Sequence, residues 1–197
     1  GTLAWLTATY YDSVLRRIFV VGAGGLILSS VDGLVWTRES SPTTVRLNGI
    51  AAGTSGGTLY AVGEPGAGLL LRDGEGVWIQ HDGGFGGRWM RGLTQRMAVG
   101  QGGAVFSPPY GTPPADVVAL WEAAAVPTSA DLEAVASGPL PLGNPPGPTS
   151  SEIAVGADGT ILQQYSTGWV ARTSGTTERL RGICRKNGGL VNLVTMT

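Results

Sequence analysis

Side chains that commonly carry acid–base, nucleophilic or metal chemistry are scarce in this chain of 197 residues, which has one histidine and one cysteine. A Ser-His-Asp triad would have to use His81, but Gly83 and Gly84 follow it closely and predict a solvated loop position. A zinc site needs several His or Cys ligands, and Cys184 lies in an apolar segment that predicts a buried thiol. We therefore expect no catalytic residue, no metal, no cofactor and no enzymatic activity.

Two glycine-rich segments resemble phosphate-binding loops at first sight, Gly22–Gly25 and Gly83–Gly87. Neither completes a dinucleotide-binding or P-loop motif, and each precedes a predicted strand where such motifs precede a helix. Both segments are therefore predicted turns. The 13 basic and 14 acidic residues give a net charge of −1, which predicts neither a nucleic-acid partner nor an anionic membrane surface. No signal peptide or membrane-spanning run is visible in the sequence.

The overall composition predicts the class of fold that must position any site. The chain has 33 glycines and 12 prolines, and 14% of its residues are charged. Disorder requires low hydrophobicity and high net charge, while glycine costs a helix about 1 kcal/mol per site relative to alanine. These figures predict an all-β protein with many short strands.

A phrase ending in Val-Gly occurs four times, at 17–22, 58–63, 95–100 and 151–156. Each copy is followed by a glycine turn, a short apolar run and a tryptophan. A pair of apolar residues three positions apart precedes each phrase, and a fifth pair follows the last phrase at the same spacing. The five pairs are Leu3/Leu6, Leu47/Ile50, Met90/Leu93, Leu132/Val135 and Leu180/Ile183. Each unit is predicted to contain four strands. A repeated four-stranded unit of about 43 residues indicates a β-propeller blade.

The repeats predict a single propeller domain, divided into units 3–46, 47–89, 90–131, 132–179 and a partial unit 180–197. We expect about five blades, with only the first two strands in the last one. A four-bladed ring capped by those two strands is the alternative. An incomplete blade leaves a sheet edge that needs cover, which favours a partner subunit.

The segment Ser30–Trp36 resembles the Asp-box (BNR-type) turn, and the whole unit resembles the Asp-box propellers related to the photosystem II assembly factor and sialidase-like families. The resemblance is close in the first repeat, whereas the second keeps Asp-Gly and Trp without the hydroxyl. It implies structural roles: the aspartates accept hydrogen bonds from turn amides, the glycines supply positive φ, and the tryptophans pack in the core. The predicted structural positions are Asp32, Gly33, Trp36, Asp73, Gly74, Trp78, Trp121 and Trp169.

On this view, replacing Trp36 with alanine should cost about 3–5 kcal/mol of stability. A sialidase-like activity is not expected, because the nearest match to the Arg-Ile-Pro motif of those enzymes, Arg17–Phe19, lacks the proline.

Arginines recur near the first strand of the units, where a propeller lines its channel: Arg46, Arg88, Arg91, Arg179 and Arg181. They form either a basic mouth that binds an anion or a set of solvated and salt-bridged side chains.

Two proline-rich inserts, 107–116 and 137–150, interrupt the repeats and are predicted to lie outside sheet interiors. Loops on a rigid scaffold commonly carry recognition, so we expect partner contacts there. The candidate residues are Pro108, Pro109, Tyr110, Pro141, Asn144 and Pro145. The neighbouring segment 115–125 is predicted to be the strand that carries Trp121.

The sequence thus predicts a non-enzymatic interaction module, a component of a larger assembly such as a phage virion or tail accessory protein. Its partners would be other proteins or copies of itself, and it would be soluble. The virion is the candidate location, and the sequence names no compartment. Two alternatives stay open. A glycan-binding or degenerate-glycosidase propeller would need exposed aromatic residues on one face, for which Tyr10, Tyr11, Phe85 and Tyr110 are the candidates. A bacterial assembly factor is the other.

Overall fold

The strands form four antiparallel sheets of four strands each and one pair of strands. The structure is a computed structural model that describes residues 4–53, 57–109, 121–139, 150–185 and 191–194. The first sheet contains β1 (Leu6–Asp12), β2 (Arg17–Gly22), β3 (Ile27–Ser30) and β4 (Thr37–Arg38); the second contains β5 (Leu47–Ala52), β6 (Leu59–Gly63), β7 (Leu69–Arg72) and β8 (Trp78–His81).

The third sheet contains β9 (Met90–Leu93), β10 (Ala98–Gly100), β11 (Val105–Ser107) and β12 (Glu122–Ala123); the fourth contains β13 (Leu132–Pro139), β14 (Ser150–Gly156), β15 (Ile161–Tyr165) and β16 (Gly168–Arg172). The last pair is β17 (Gly182–Arg185) with β18 (Val191–Val194). In every sheet the strands follow one another in chain order.

The sheets are arranged as blades around an axis. The first strand of each sheet lies innermost, and β1, β5, β9, β13 and β17 contact one another in that order. Four complete blades and two strands of a fifth are present in the described residues. The prediction of an all-β propeller is therefore confirmed, and the described part of the fifth blade consists of two strands.

The core lies between the blades because alternate residues of each second strand point to opposite faces. Leu59 and Ala61 pack towards the first blade in one cluster of buried residues, whereas Tyr60 and Val62 pack towards the third blade in the next cluster. A third cluster joins the third and fourth blades. The apolar Val-Gly phrase is thus explained by burial on both faces of a middle strand.

The glycine of each phrase is required by a close backbone approach. A Cβ on Gly22, Gly63, Gly100 or Gly156 would lie 2.0–2.2 Å from a carbonyl oxygen at the start of the neighbouring inner strand. A short 3-10 turn then follows in three blades, and its middle residue is left-handed: Gly24 and Gly102 have φ of 67°, and Asp158 has φ of 55°. The predicted positive-φ turn is present there.

Three local predictions differ from the structure. In the first repeat, Leu6 pairs with Gly22 as Leu47 pairs with Gly63, so the apolar pattern begins three residues later than the Leu3/Leu6 pair implies. The insert 137–150 is strand at both ends, because β13 and β14 continue until Pro139 pairs with Ser150. In the segment 115–125, residues 115–120 lie outside the described residues and only Glu122 and Ala123 form a strand.

Candidate functional site

The turn that resembles an Asp box is held together by side-chain hydrogen bonds in the first blade. One carboxylate oxygen of Asp32 accepts hydrogen bonds from the amides of Val35 at 3.0 Å and Leu34 at 2.8 Å. The hydroxyl of Ser30 donates to the same oxygen at 3.0 Å. These donors, with the Val35 amide first, lower the pKa of Asp32 from its ordinary value of 3.8, since they stabilise the ionised form. Gly33 has φ of 75°.

The second blade builds its turn differently. Asp73 accepts hydrogen bonds from the amides of Glu75 at 3.0 Å and Val77 at 2.8 Å. The residue with positive φ is Gly76, at 92°, and not Gly74. The expectation for Gly74 is wrong because the turn is one residue longer between its aspartate and its tryptophan than in the first blade.

The four repeat tryptophans have different surroundings. Trp78 and Trp121 are buried, and Trp169 packs against the third cluster while remaining half-buried. Trp36 is 38% exposed, so the expectation that it belongs to the core is wrong. The blade that would cover it is absent from the described residues, and its indole N–H donates to the carbonyl of Gly33 in its own turn.

The aromatic residues proposed for a glycan site do not share one exposed surface. Phe85 is buried against Phe106 and Trp121 in edge-to-face contacts. Tyr10 is half-buried against the first cluster, and Tyr11 is exposed. Tyr110 lies outside the described residues.

The proline-rich loops are described only in part. Pro108 and Pro109 are half-buried after β11. Pro141, Asn144 and Pro145 lie, like Tyr110, outside the described residues, so their role as partner contacts stays a prediction.

His81 ends β8, where the sequence predicts a solvated loop, and it is half-buried. It lines a cavity of about 430 Å³ together with Glu64, Asp82 and Arg88, and its Nε2 is buried without a hydrogen-bond partner in the described residues. No serine, threonine or cysteine is among the described residues lining this cavity. Cys184 is exposed, so the expectation of a buried thiol is wrong; among the described residues only the fourth sheet packs against the last pair of strands.

A second cavity, of about 400 Å³, lies at the channel mouth where the inner strands begin. Its wall contains one residue from the same position of each unit, the residue after the first apolar residue of the inner strand. These five residues are Thr7, Asn48, Arg91, Glu133 and Arg181. Leu6, Arg46 and Trp89 complete the wall. The sequence repeat therefore builds this surface directly.

Most of the five equivalent side chains bind the next blade. The Thr7 hydroxyl donates to the carbonyl of Leu47 at 2.5 Å, and the Asn48 amide donates to the carbonyl of Met90 at 3.1 Å. These bonds connect neighbouring inner strands around the channel.

Charged pairs continue the same pattern in the later blades. Arg91 bridges Glu133 at 3.0 Å and Asp131 at 3.1 Å, and Arg179 also pairs with Glu133. Of the two interpretations of the recurring arginines, salt bridging describes Arg91 and Arg179. It also describes Arg46, whose guanidinium lies 3.9 Å from the Glu64 carboxylate. Arg181 has no partner among the described residues and faces the cavity.

Two exposed tryptophans stand beside the mouth with arginines against their rings. The guanidinium carbon of Arg46 lies 5.8 Å from the ring centre of Trp5, and that of Arg91 lies 5.8 Å from the ring centre of Trp89. Trp5 is 72% and Trp89 39% exposed. The Nε atoms of Arg46 and Arg91 are buried and lack a hydrogen-bond partner in the described residues.

Sequence reasoning missed Trp5, Trp89 and Glu133 as members of this surface. Their positions in the repeat could have identified them, since each lies directly before or after the first apolar residue of an inner strand. Arg88, which was grouped with the mouth, instead lines the His81 cavity, with its guanidinium 6.0 Å from the ring centre of Phe106.

Two kinds of site are absent from the described residues. No helix there has the length and hydropathy needed to cross a membrane. No group of three or more His, Cys, Asp or Glu side chains there is placed to hold a metal ion.

The sequence matches no protein-family model and no curated protein. Its fold is similar to solved structures at low identity. The WD40 repeats of RRP9 match with a TM-score of 0.64 and 12% identity over 93% of this chain and 55% of that one. U3-55K matches with a TM-score of 0.59 and 12% identity over 87% and 52%.

YCF48 from Cyanidioschyzon merolae matches with a TM-score of 0.57 and 16% identity over 95% of this chain and 62% of that one. The chain thus spans between half and two thirds of the structures it resembles. Identities this low establish the fold alone, which is a β-propeller.

Proposed function

We propose that this chain is a non-enzymatic interaction module, a propeller that binds a protein partner at the channel mouth within a larger assembly. The observation that carries the proposal is the surface formed by Trp5, Trp89, Arg46, Arg91 and Arg181. Tryptophan and arginine contribute much of the binding energy at protein interfaces, and here both tryptophans are exposed beside arginines.

The charges at the mouth favour an acidic segment of the partner. Three arginines and one glutamate line the cavity, and that glutamate, Glu133, is already paired with Arg91 and Arg179. Arg181 is exposed at the cavity wall and is left to donate to a partner. A carboxylate is the natural acceptor for such a donor. A phage virion or tail accessory protein is our working hypothesis for the assembly.

A labelled glutamate-rich peptide tests the chemistry of the mouth by fluorescence anisotropy, with a lysine-rich peptide as the negative probe. The wild-type chain should bind the acidic peptide, and Arg181→Glu should weaken binding at least tenfold. Arg38→Glu is the matched control, because Arg38 is exposed on the outer strand β4. Equal weakening by the two variants would show that the mouth is not the site.

A photo-crosslinking amino acid at Trp5 tests the partner in the source cells, with the same substitution at Leu34 as control. Trp5 lies at the mouth, whereas Leu34 lies in the first Asp-box-like turn and is 84% exposed. A protein crosslinked from position 5 only supports the proposal. Crosslinks at neither position contradict it.

A further inference from the structure

The second blade differs from the other complete blades in the turn between its second and third strands. Six residues, 63–68, separate the paired residues Val62 and Leu69 there. The corresponding turns of the first, third and fourth blades contain five residues, at 22–26, 100–104 and 156–160. The longer turn forms one wall of the cavity that contains His81.

The linker to the next blade also differs at this point. In the other complete blades a threonine carbonyl oxygen of the linker lies 1.9–2.4 Å from where a Cβ would stand on Gly25, Gly103 or Gly159. In the second blade the carbonyl oxygen of His81 approaches Gly68 in this way, at 2.2 Å. The linker 82–89 that follows contains four glycines with φ of 61–74°. The cavity of about 430 Å³ lies between this linker and the longer turn.

The glycine-rich linker is anchored by tertiary contacts. Glycine loses more conformational freedom on folding than any other residue, so a linker with four of them needs such contacts to hold one shape. Phe85 is buried in edge-to-face contact with Phe106 and Trp121. The Trp121 amide donates to the carbonyl of Gly83 at 3.1 Å. These contacts fix the linker as a wall of the cavity.

Two opposite charges on this linker line the cavity without pairing. Asp82 and Arg88 are both exposed at its wall, and neither forms an ion pair among the described residues. Glu64, the other acidic residue of the wall, already lies 3.9 Å from Arg46. One carboxylate and one guanidinium are thus available, and such a pair is complementary to a ligand that carries both charges.

His81 supplies an unmet polar group in the same cavity. Its Nε2 is buried and lacks a hydrogen-bond partner in the described residues. A buried polar atom without a partner lowers stability, and a neutral imidazole nitrogen can either donate or accept a hydrogen bond. A polar atom of a ligand in the cavity would satisfy it.

We infer that this cavity binds a small zwitterion, a molecule with one ammonium and one carboxylate such as a free amino acid. Asp82 accepts from the ammonium, Arg88 donates to the carboxylate, and His81 bonds a polar atom between them. The volume is within the range of about 300–1,000 Å³ that small-molecule sites occupy. This inference does not depend on the partner proposed for the channel mouth.

The single histidine of the chain makes the site directly observable. His81 is the only histidine, so the ring signal of His81 in the NMR spectrum of the ¹³C-labelled chain reports on the cavity alone. Glycine, L-alanine and L-leucine are titrated as a size series. We expect at least one of them to shift the His81 signal saturably.

Analogues that lack one charge test the pairing of charges. Each amino acid is compared with its analogues without the ammonium or without the carboxylate, which for L-leucine are 4-methylpentanoate and 3-methylbutylamine. Both analogues should bind about tenfold or more weakly than the amino acid, because each loses one charged hydrogen bond. An analogue that binds as tightly as its amino acid would show a site for a single charge and overturn the inference.

Variants of the two charged residues locate the ligand. Asp82→Asn and Arg88→Gln change exposed side chains, and each should weaken binding about tenfold or more for the same reason. Arg96→Gln is the matched control, because Arg96 is exposed on the turn at the far end of β9, and it should bind like wild type. Thermal unfolding checks that the variants are folded.

Two further results would overturn the inference. One is a His81 signal that none of the three amino acids shifts, which would show that the cavity binds no zwitterion of this size. The other is undiminished binding by both folded variants, which would place the ligand elsewhere on the protein.

Discussion

Equivalent residues in the repeats differ in energy because their surroundings differ. Trp78 is 6% exposed, and its indole N–H donates to the Glu39 carboxylate at 2.6 Å. Trp36, in the same repeat position, is 38% exposed and bonds within its own turn. Two tryptophans at the same position of the repeat therefore need not contribute equally to the free energy of unfolding.

Replacing Trp78 with alanine should cost about 3–5 kcal/mol of unfolding free energy, because the buried volume is lost and Glu39 loses a donor. Trp36→Ala should cost only about 1 kcal/mol, because much of its surface is already solvated. Urea unfolding followed by circular dichroism, at concentrations where the chain is monomeric, measures both. Equal losses would contradict the burial assigned to Trp36.

Asp32 should give the first blade a pH-dependent stability. Its pKa is lowered in the folded state by the Val35 and Leu34 amides and the Ser30 hydroxyl. The resulting stabilisation is present above the unfolded-state pKa and disappears as pH falls through the lower folded-state pKa. Asp32→Asn should therefore be less stable than wild type at neutral pH, and the difference should shrink under acid.

Chemical unfolding of both proteins from neutral pH to below the ordinary pKa of 3.8 measures this change. A stability difference that stays constant across that range would show that the carboxylate charge is not what the turn requires.

At the scale of the element, the glycine of the Val-Gly phrase allows the second strand of a blade to pack closely against the start of the inner strand. Gly100 has an extended φ of −175°, which any residue adopts, yet a Cβ there would lie 2.0 Å from the Trp89 carbonyl oxygen. The adjacent turn is different, because Gly102 is left-handed and has open space around its Cβ position. The two glycines thus serve different physical needs two residues apart.

Gly100→Ala should lower the unfolding free energy by about 1–3 kcal/mol, since β9 and β10 must separate to admit the methyl group. Gly102→Asn is the control and should cost less, because asparagine tolerates left-handed φ and Asp158 occupies the equivalent position. Thermal unfolding of the two variants and of the wild type measures both stability losses. A larger loss at position 102 would show that turn conformation, and not strand contact, limits stability.

At the scale of the whole molecule, stability should be highest in the second and third blades. The second and third blades are packed on both faces by buried clusters, and every residue of β6 is buried. The outer strand β16 is mostly exposed. Protection from hydrogen exchange follows local burial and cooperative packing.

Amide exchange followed by mass spectrometry should therefore be slowest in β6 and fastest among the strands in β16. The same exchange rate for both strands would contradict the interblade clusters as the main source of stability.

Much of the fold was predictable because it depends on local pattern. The unbroken apolar run 59–62 specifies a strand buried on both faces, and the following glycines specify a turn, so the blade repeats were recognisable from the sequence. The arginines near the inner strands could also be recognised. Their partners could not, because Arg91 binds Glu133 forty-two residues later, and no local rule pairs residues across blades.

The sequence by itself determined the class, the repeat and the order of strands within each blade, since hydrogen-bonded meanders of short strands depend on neighbours in the chain. Only the tertiary structure decided that Trp36 and Leu6 are exposed while Trp78 and Leu47 are buried. The physical reason is that burial belongs to a pair of packed faces. The same residue in the same repeat is core or surface according to whether another blade lies against it.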